Sequence, residues 1–178
     1  LVRVMSRELQ PLLAQKQLAL QIDTMMPLPD VECDEGKMRQ VLRNIIANAI
    51  KFTEAHRTIT VTSEILTDGT QAAELLRDLQ SKSPPLVSSS GYIRVQVRDQ
   101  GVGIPEDELE SIFDKFVQSS KTRTGAGGTG LGLAICREII QAHHGRVWAE
   151  NNPTGGACLS FTLPLRQPRS DAVLKKAA

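Results

Sequence analysis

Asn44, Asn48 and Lys51 are spaced so that, on an α-helix turning about 100° per residue, they fall within about 60° of one another. Two amides and an ammonium on one edge can meet Mg²⁺ and phosphate, because an amide oxygen is a hard ligand and an ammonium suits phosphate oxygens. A solvated face carrying two ordinary asparagines fits the same spacing, so this cluster alone leaves both readings open. A second cluster is Arg98-Asp99-Gln100-Gly101-Val102-Gly103-Ile104-Pro105. A carboxylate delivered at a strand end can accept from an exocyclic amine, and the glycines leave room for a flat base. An aspartate that merely caps a strand-to-helix turn is the competing reading. The third cluster is Thr124-Gly125-Ala126-Gly127-Gly128-Thr129-Gly130-Leu131-Gly132-Leu133. Glycines running into a helix expose N–H groups at its positive end, a cradle for phosphate. A flexible loop is the alternative, but such loops seldom run straight into Leu-Gly-Leu-Ala-Ile.

Residues 125–130 also fit G-x-G-x-x-G, and Glu150 follows twenty residues later, as in a dinucleotide-binding unit. That unit needs a buried strand directly before the first glycine. Here Gln118-Ser119-Ser120-Lys121-Thr122-Arg123-Thr124 is polar and cationic, which disfavours the dinucleotide reading.

Positioning these clusters falls to a small set of elements. Apolar residues at 38, 41, 42, 45, 46, 49 and 50 predict an amphipathic helix pressed on a core, with Asp34 as its N-cap and Glu35 in its first turn. Thr58–Ile65 and Tyr92–Arg98 read as strands. Residues 67–91 read as an exposed, partly disordered insertion in which Ala72–Leu79 could form a helical turn or two. Glu106–Phe116 is expected to be a short helix opened by Pro105, and Leu131–His144 a longer one closed by Gly145. Val147–Glu150 and Ala157–Leu163 read as a hairpin joined by Asn151-Asn152-Pro153-Thr154-Gly155-Gly156. Residues 2–20 predict a helix, then a strand around Ala19–Ile22 ahead of the breaks at Pro27 and Pro29, and the basic tail after Pro164 reads as structureless. Helices interleaved with strands in hairpin order imply a mixed sheet covered by helices on one face.

Composition narrows the class. At 178 residues the chain is one domain, and its net charge of +1 does not favour a nucleic-acid or membrane-surface binder. Aromatics make up only 3%, too few for base-stacking platforms. Cys33, Cys136 and Cys158 lie far apart and are odd in number, which fits reduced thiols in a cytosolic setting. No apolar run approaches a membrane span, and the chain begins at Leu1, so it is expected to be a soluble, excised piece of a longer protein.

Taken in order, the clusters resemble the ATP-binding domain of sensor histidine kinases, within the wider gyrase, heat-shock chaperone, histidine-kinase and mismatch-repair ATP-binding superfamily. Asn44-Ile45-Ile46-Ala47-Asn48-Ala49-Ile50-Lys51-Phe52 is similar to the N box, and Asp99-Gln100-Gly101-Val102-Gly103-Ile104 to the first glycine box. Phe113-Asp114-Lys115-Phe116 resembles the F box, and Gly128-Thr129-Gly130-Leu131-Gly132-Leu133 the second glycine box. The resemblance implies a two-layer α/β sandwich of the Bergerat type, with a mixed, mostly antiparallel sheet and helices on one face. It further implies that Asn48, assisted by Asn44, holds Mg²⁺, that Lys51 contacts phosphate and that Phe52 flanks the adenine of ATP. Asp99 would accept the adenine amine, with Gly101, Gly103 and Ile104 framing the base and Thr162 helping Asp99 through water. In a lid of roughly 114–130, Lys121 and Arg123 would reach the γ-phosphate, while Gly128, Thr129, Gly130, Leu131 and Gly132 would wrap the triphosphate.

Two features of the resemblance refine the activity. The family's ATPases carry a glutamate base four residues before the Mg²⁺-holding asparagine, where this chain has Asn44, so phosphoryl transfer is expected in place of hydrolysis. The phosphoacceptor motif, roughly His-Glu-x-Arg-Thr-Pro, is absent around His56, His143 and His144. The acceptor histidine is therefore expected on a dimerisation domain outside this chain, which relays phosphate to a response regulator receiver domain. Residues 1–20 would be the tail following that domain, 21–165 the catalytic domain with its 67–91 insertion, and 166–178 a disordered tail. A cytoplasmic location is implied, on a parent that could be membrane-anchored, with no direct membrane contact and no nucleic acid as partner. A hydrolytic ATPase and a non-catalytic docking module are the two rival functions.

Overall fold

A computed structural model of the chain describes residues 1–24, 28–66, 91–122 and 129–167. The insertion expected at 67–91, apart from Gly91, and the tail beyond residue 167 lie outside the described residues. The chain runs α1 (Val2–Glu8), α2 (Gln10–Gln15), β1 (Ala19–Thr24), α3 (Glu35–Phe52), β2 (Thr58–Leu66), β3 (Tyr92–Arg98), α4 (Gly132–Ala142), β4 (Arg146–Asn151) and β5 (Ala157–Pro164). The strands form a sheet in the order β1-β2-β3-β5-β4, in which β1 and β2 are parallel and every other pair is antiparallel. Two connections cross over between parallel strands, β1 to β2 through α3 and β3 to β4, which flank β5, through α4.

The period-two pattern decides which face is buried. Ile59 and Val61 of β2, Val95 and Val97 of β3, and Leu159, Phe161 and Leu163 of β5 join one cluster with the apolar stripes of α3 and α4. The opposite face carries polar side chains, among them an ion pair between Arg94 and Glu64 on paired strands. Helix α3 begins as expected, with Asp34 Oδ1 accepting from Lys37 N at 2.9 Å. Its other end is closed by Lys16, whose Nζ donates to the carbonyls of Ile50, Lys51 and Thr53 at 2.9, 2.6 and 3.1 Å. A cation at the negative end of a helix satisfies carbonyls that have no intrahelical partner.

Residues 2–20 hold the expected helix, restarted at Pro11 as α2, and the expected strand, β1, from Ala19, and their Met5, Leu9 and Leu13 are buried in the same cluster as α3. Their apolar spacing has a core to face, so the segment packs as part of the domain. The helix expected over Glu106–Phe116 is instead a pair of 3₁₀ turns, Glu106–Glu108 and Ser111–Phe113. Competing donors explain it: Ser111 Oγ donates to the Glu108 carbonyl, and Arg137 Nη2 takes the Glu110 carbonyl at 2.7 Å.

At the far end of the sheet, His143 joins α4 to the start of α3. Its Nε2 accepts from Asp34 N at 3.1 Å while Nδ1 lies 2.8 Å from the Ile139 carbonyl.

Candidate nucleotide site

The C-terminal half of α3, the end of β3, the start of β5 and the start of α4 converge on a cavity of about 270 Å³. Its walls include Asn48, Lys51 and Phe52 from α3, Asp99, Gly103 and Ile104 after β3, and Thr129, Gly130 and Gly132 at α4. Lys51 Nζ lies 4.9 Å from the Phe52 ring centroid, a cation–π distance. Of the four expected residues of α3, three therefore line one space. Asn44 is off the lining, and its Nδ2 donates to the Gly132 carbonyl at 3.1 Å, tying α3 to the first turn of α4.

Asp99 is 5% exposed and sits at the end of β3. Its Oδ1 accepts from Gly101 N at 2.9 Å and from Ala157 N at 3.0 Å. Among the described residues no hydrogen bond to Oδ2 is recorded, so that oxygen keeps its acceptor capacity beside the cavity. Burial raises the Asp99 pKa above the usual carboxylate value, and the two N–H groups pull it back only in part. Gly101 has to be glycine for reasons of space: a Cβ there would meet the Phe52 carbonyl oxygen at 2.4 Å. The chain can thus turn tightly beneath the end of α3 and keep Asp99 next to Phe52.

Residues beyond the sequence expectations brace the wall from behind or extend it. Asn151 accepts from Ile104 N at 2.8 Å and donates to Ile104 O at 2.6 Å, while Asn152 Nδ2 donates to Asp99 O at 2.9 Å and Ala157 O at 3.0 Å. Both asparagines had been read only as turn residues, and their pairing next to Pro153 and the Gly155-Gly156 pair was the available signal. Ile112, Val117, Gln118, Leu133, Ala157 and Leu159 also line the space.

Thr162 does not support Asp99. It pairs with Arg94 and Arg146, and the alternation of β5 turns its side chain to the face opposite Ala157 and Leu159. Its buried Oγ1 finds no hydrogen-bond partner among the described residues. The β5 residue that does abut Asp99 is Ala157, which carries no hydroxyl.

The flank leading to the lid is attached differently. Phe113 is buried under Arg137, whose guanidinium lies 5.1 Å from the ring centroid and pairs with Asp114 at 2.9 Å. Lys115 pairs with Glu138 at 2.7 Å. Hydrogen bonds from Ser119 and Ser120 hold the Glu108 carboxyl below its ordinary value. Gly130, at φ +66°, presses on Phe116, and Phe116 N donates to the Gly130 carbonyl at 3.0 Å. The two ends of the expected lid are thereby stitched together. Lys121 is exposed with Nζ 3.3 Å from the Val102 carbonyl, Leu131 caps α4, and Arg123 and Gly128 lie outside the described residues.

The three cysteines are free thiols, and burial pushes the Cys136 pKa up to about 12, so that thiol is a core residue with no thiolate chemistry near neutral pH. No described helix is long and apolar enough to cross a membrane. Among the described residues, no group of three or more His, Cys, Asp or Glu could hold a metal ion.

Comparison with known proteins agrees with this geometry. The pattern of the family described as "Histidine kinase-, DNA gyrase B-, and HSP90-like ATPase" matches residues 33–167. The adaptive-response sensory kinase SasA of Synechococcus sp. (strain CC9311) is 34% identical over 160 residues, which is 90% of this chain and 36% of SasA. The sensor histidine kinase WalK of Bacillus subtilis (strain 168) is 38% identical over 149 residues, 81% of this chain and 21% of WalK. The chain thus spans about a third or less of the length of these relatives. Among solved structures, the nucleotide-free catalytic domain of histidine kinase ThkA superposes with a TM-score of 0.69 at 29% identity, covering 93% of this chain and 92% of that one. Full-length ShkA in complex with AMPPNP gives 0.70 at 30% identity, over 92% of this chain and 29% of that one. ThkA in complex with the response regulator protein TrrA gives 0.65 at 27% identity, over 92% and 39%.

Proposed function

We propose that this chain, which belongs to the histidine kinase-, DNA gyrase B- and HSP90-like ATPase family, is the ATP-binding catalytic domain of a sensor histidine kinase. It binds Mg-ATP and passes the γ-phosphoryl group to a histidine on a separate dimerisation domain, for relay to a response regulator in the cytoplasm. The observation that carries this reading is the meeting, in one cavity, of Asp99, the polar edge of α3 and the N-terminus of α4.

In this reading the base enters against Asp99, whose Oδ2 accepts the exocyclic amine, while Ile104 and Phe52 supply apolar flanks. The phosphates lie toward Gly130 and Gly132, where the first turn of α4 presents N–H groups with no intrahelical partner. Lys51 contributes charge on that side. The donor set also fits Mg²⁺. That ion keeps water and substrate oxygens and takes only one or two ligands from protein, so Asn48 on the cavity wall suffices without an acidic cluster. Held by Asn48, Mg²⁺ would supply charge neutralisation at the phosphates. Asn44 and Arg123 assist in this reading, although Asn44 engages Gly132 and Arg123 lies outside the described residues.

Phosphoryl transfer is favoured over hydrolysis because Asn44 is an amide. It cannot take a proton from water, and its Nδ2 is already engaged. Catalysis then rests on positioning and charge neutralisation, with the nucleophile supplied from elsewhere.

The test uses radiolabelled ATP, Mg²⁺ and a histidine-bearing dimerisation domain supplied separately. Label should appear on that domain in acid-labile form and not on this chain. Asn48→Ala should abolish the Mg²⁺-dependent part of ATP affinity. Release of inorganic phosphate at the same rate with and without the acceptor would replace this reading with a hydrolase.

A further inference from the structure

We propose that Asn151 and Asn152 are positioning residues for base recognition, two consecutive side chains that hold the Asp99–Ile104 loop at both ends. This rests on the reading of Asp99 given above and deepens it, by naming what keeps the carboxylate in register with the base.

At one end, Asn151 Oδ1 accepts from Ile104 N at 2.8 Å and its Nδ2 donates to Ile104 O at 2.6 Å. These are the two bonds a neighbouring strand would make, supplied by one side-chain amide to a loop that has no strand beside it there. A second Nδ2 bond, to Glu106 Oε1 at 3.0 Å, fixes the plane of that amide. At the other end, Asn152 Nδ2 spans the carbonyls of Asp99 and Ala157 at 2.9 and 3.0 Å. Those same residues orient the carboxylate, since Asp99 N donates to Ala157 O at 2.9 Å and Ala157 N to Asp99 Oδ1 at 3.0 Å.

The hairpin does not need these amides to close. Backbone bonds already do so, from Asn152 N to Gly156 O at 2.9 Å and from Gly155 N to Asn152 O at 3.0 Å. The side chains are spent on the loop. Asparagine suits the task because it donates and accepts at once, whereas an ionised aspartate only accepts and would face the Ile104, Asp99 and Ala157 carbonyls with negative charge. Small displacements of a recognition group are costly, so a loop held at both ends converts directly into discrimination between bases.

The experiment is a calorimetric titration of the 178-residue chain with ADP and with inosine diphosphate, which lacks the exocyclic amine. Wild type is expected to prefer ADP. Asn151→Ala and Asn152→Ala should each weaken ADP binding about tenfold and inosine diphosphate binding far less, so the preference contracts. In an Asp99→Ala background neither change should weaken ADP further, a result that a merely structural role would not produce. Should either alanine variant fail to fold, Asn151→Asp carries the test: it keeps the bond from Ile104 N and loses both donated bonds. Equal losses for the two diphosphates, or an unchanged preference, overturn the proposal. A wild-type chain that does not distinguish them removes the reading of Asp99 itself, whereas wild-type preference shared fully by the variants removes only the clamp.

Discussion

The two sides of the cavity are built from different interactions. On the base side, Asp99, Ile104 and Ala157 are locked by hydrogen bonds of 2.6–3.0 Å from backbone N–H groups and two side-chain amides, around a carboxylate that is 5% exposed. On the flank from Glu106 to Ser120, Phe113 is buried and Arg137 holds the Glu110 carbonyl, but the side-chain ties are ion pairs whose acidic or basic partners are largely exposed, Glu110 at 88% and Lys115 at 63%. A buried polar group stripped of its partner costs about 1–3 kcal/mol, whereas an exposed ion pair contributes about 0–1 kcal/mol. The contrast separates a pre-set recognition wall from an adjustable flank next to the expected lid. Reading a base requires fixed geometry, while covering and releasing phosphates requires movement.

The largest effect that sharpens this comparison is expected at Asp99. Asp99→Asn should lower ADP affinity about a hundredfold, or about 2.7 kcal/mol, by turning an acceptor into a donor at the amine. Calorimetry decides this, and unchanged affinity would remove the base assignment. With the ionised Asp99 carboxyl as the proposed acceptor, ADP affinity should fall as the pH drops through its raised pKa, at a higher pH than for an exposed carboxylate. Stability of the unliganded chain runs the opposite way. A carboxyl raised above its unfolded pKa contributes stability below the unfolded value, and this is lost as pH rises through the folded one. Asp99→Asn keeps an Oδ1 acceptor for Gly101 and Ala157 and removes a buried charge, so at neutral pH it should melt no lower than wild type. A lower melting temperature would mean that the charge itself holds the wall.

A smaller effect is expected at Gly101. The added Cβ of Gly101→Ala, at 2.4 Å from Phe52 O, forces the loop away from α3 and should destabilise the domain by about 2 kcal/mol, seen as a melting temperature lowered by roughly 5 °C. Unchanged melting would show that the wall is looser than its hydrogen bonds imply. The smallest effect belongs to the flank. Lys115→Ala removes the exposed pair with Glu138 and should cost under about 1 kcal/mol in denaturant unfolding and leave ADP affinity within about twofold. A larger loss of ADP affinity would erase the distinction between the two sides.

Much of this was legible in the residues themselves. The stripe from Met38 to Ile50, the N-cap at Asp34 and the alternation in β2, β3 and β5 specify their elements because local periodicity and capping depend on neighbours in sequence. Asn48, Lys51, Phe52, Asp99 and Gly103 could be singled out because their types and spacings carry chemistry that survives without coordinates, and all five line one cavity. Thr162 was misplaced because one step of strand register sends a side chain to the other face, which a motif alone does not reveal. The Glu106–Phe116 helix failed because Arg137, distant in sequence, takes one of its carbonyls.

The sequence by itself determined most of the elements, the polar edge of α3, and the acid and glycines of the candidate site, since these follow from side-chain chemistry and local geometry. Only the tertiary structure decided that Lys16 closes α3, that residues 2–15 pack into the core, and that Asn151 and Asn152 hold the loop beside Asp99. Those contacts join segments some tens of residues apart, and nothing in either segment announces its partner until hydrophobic burial has folded the sheet against its helices.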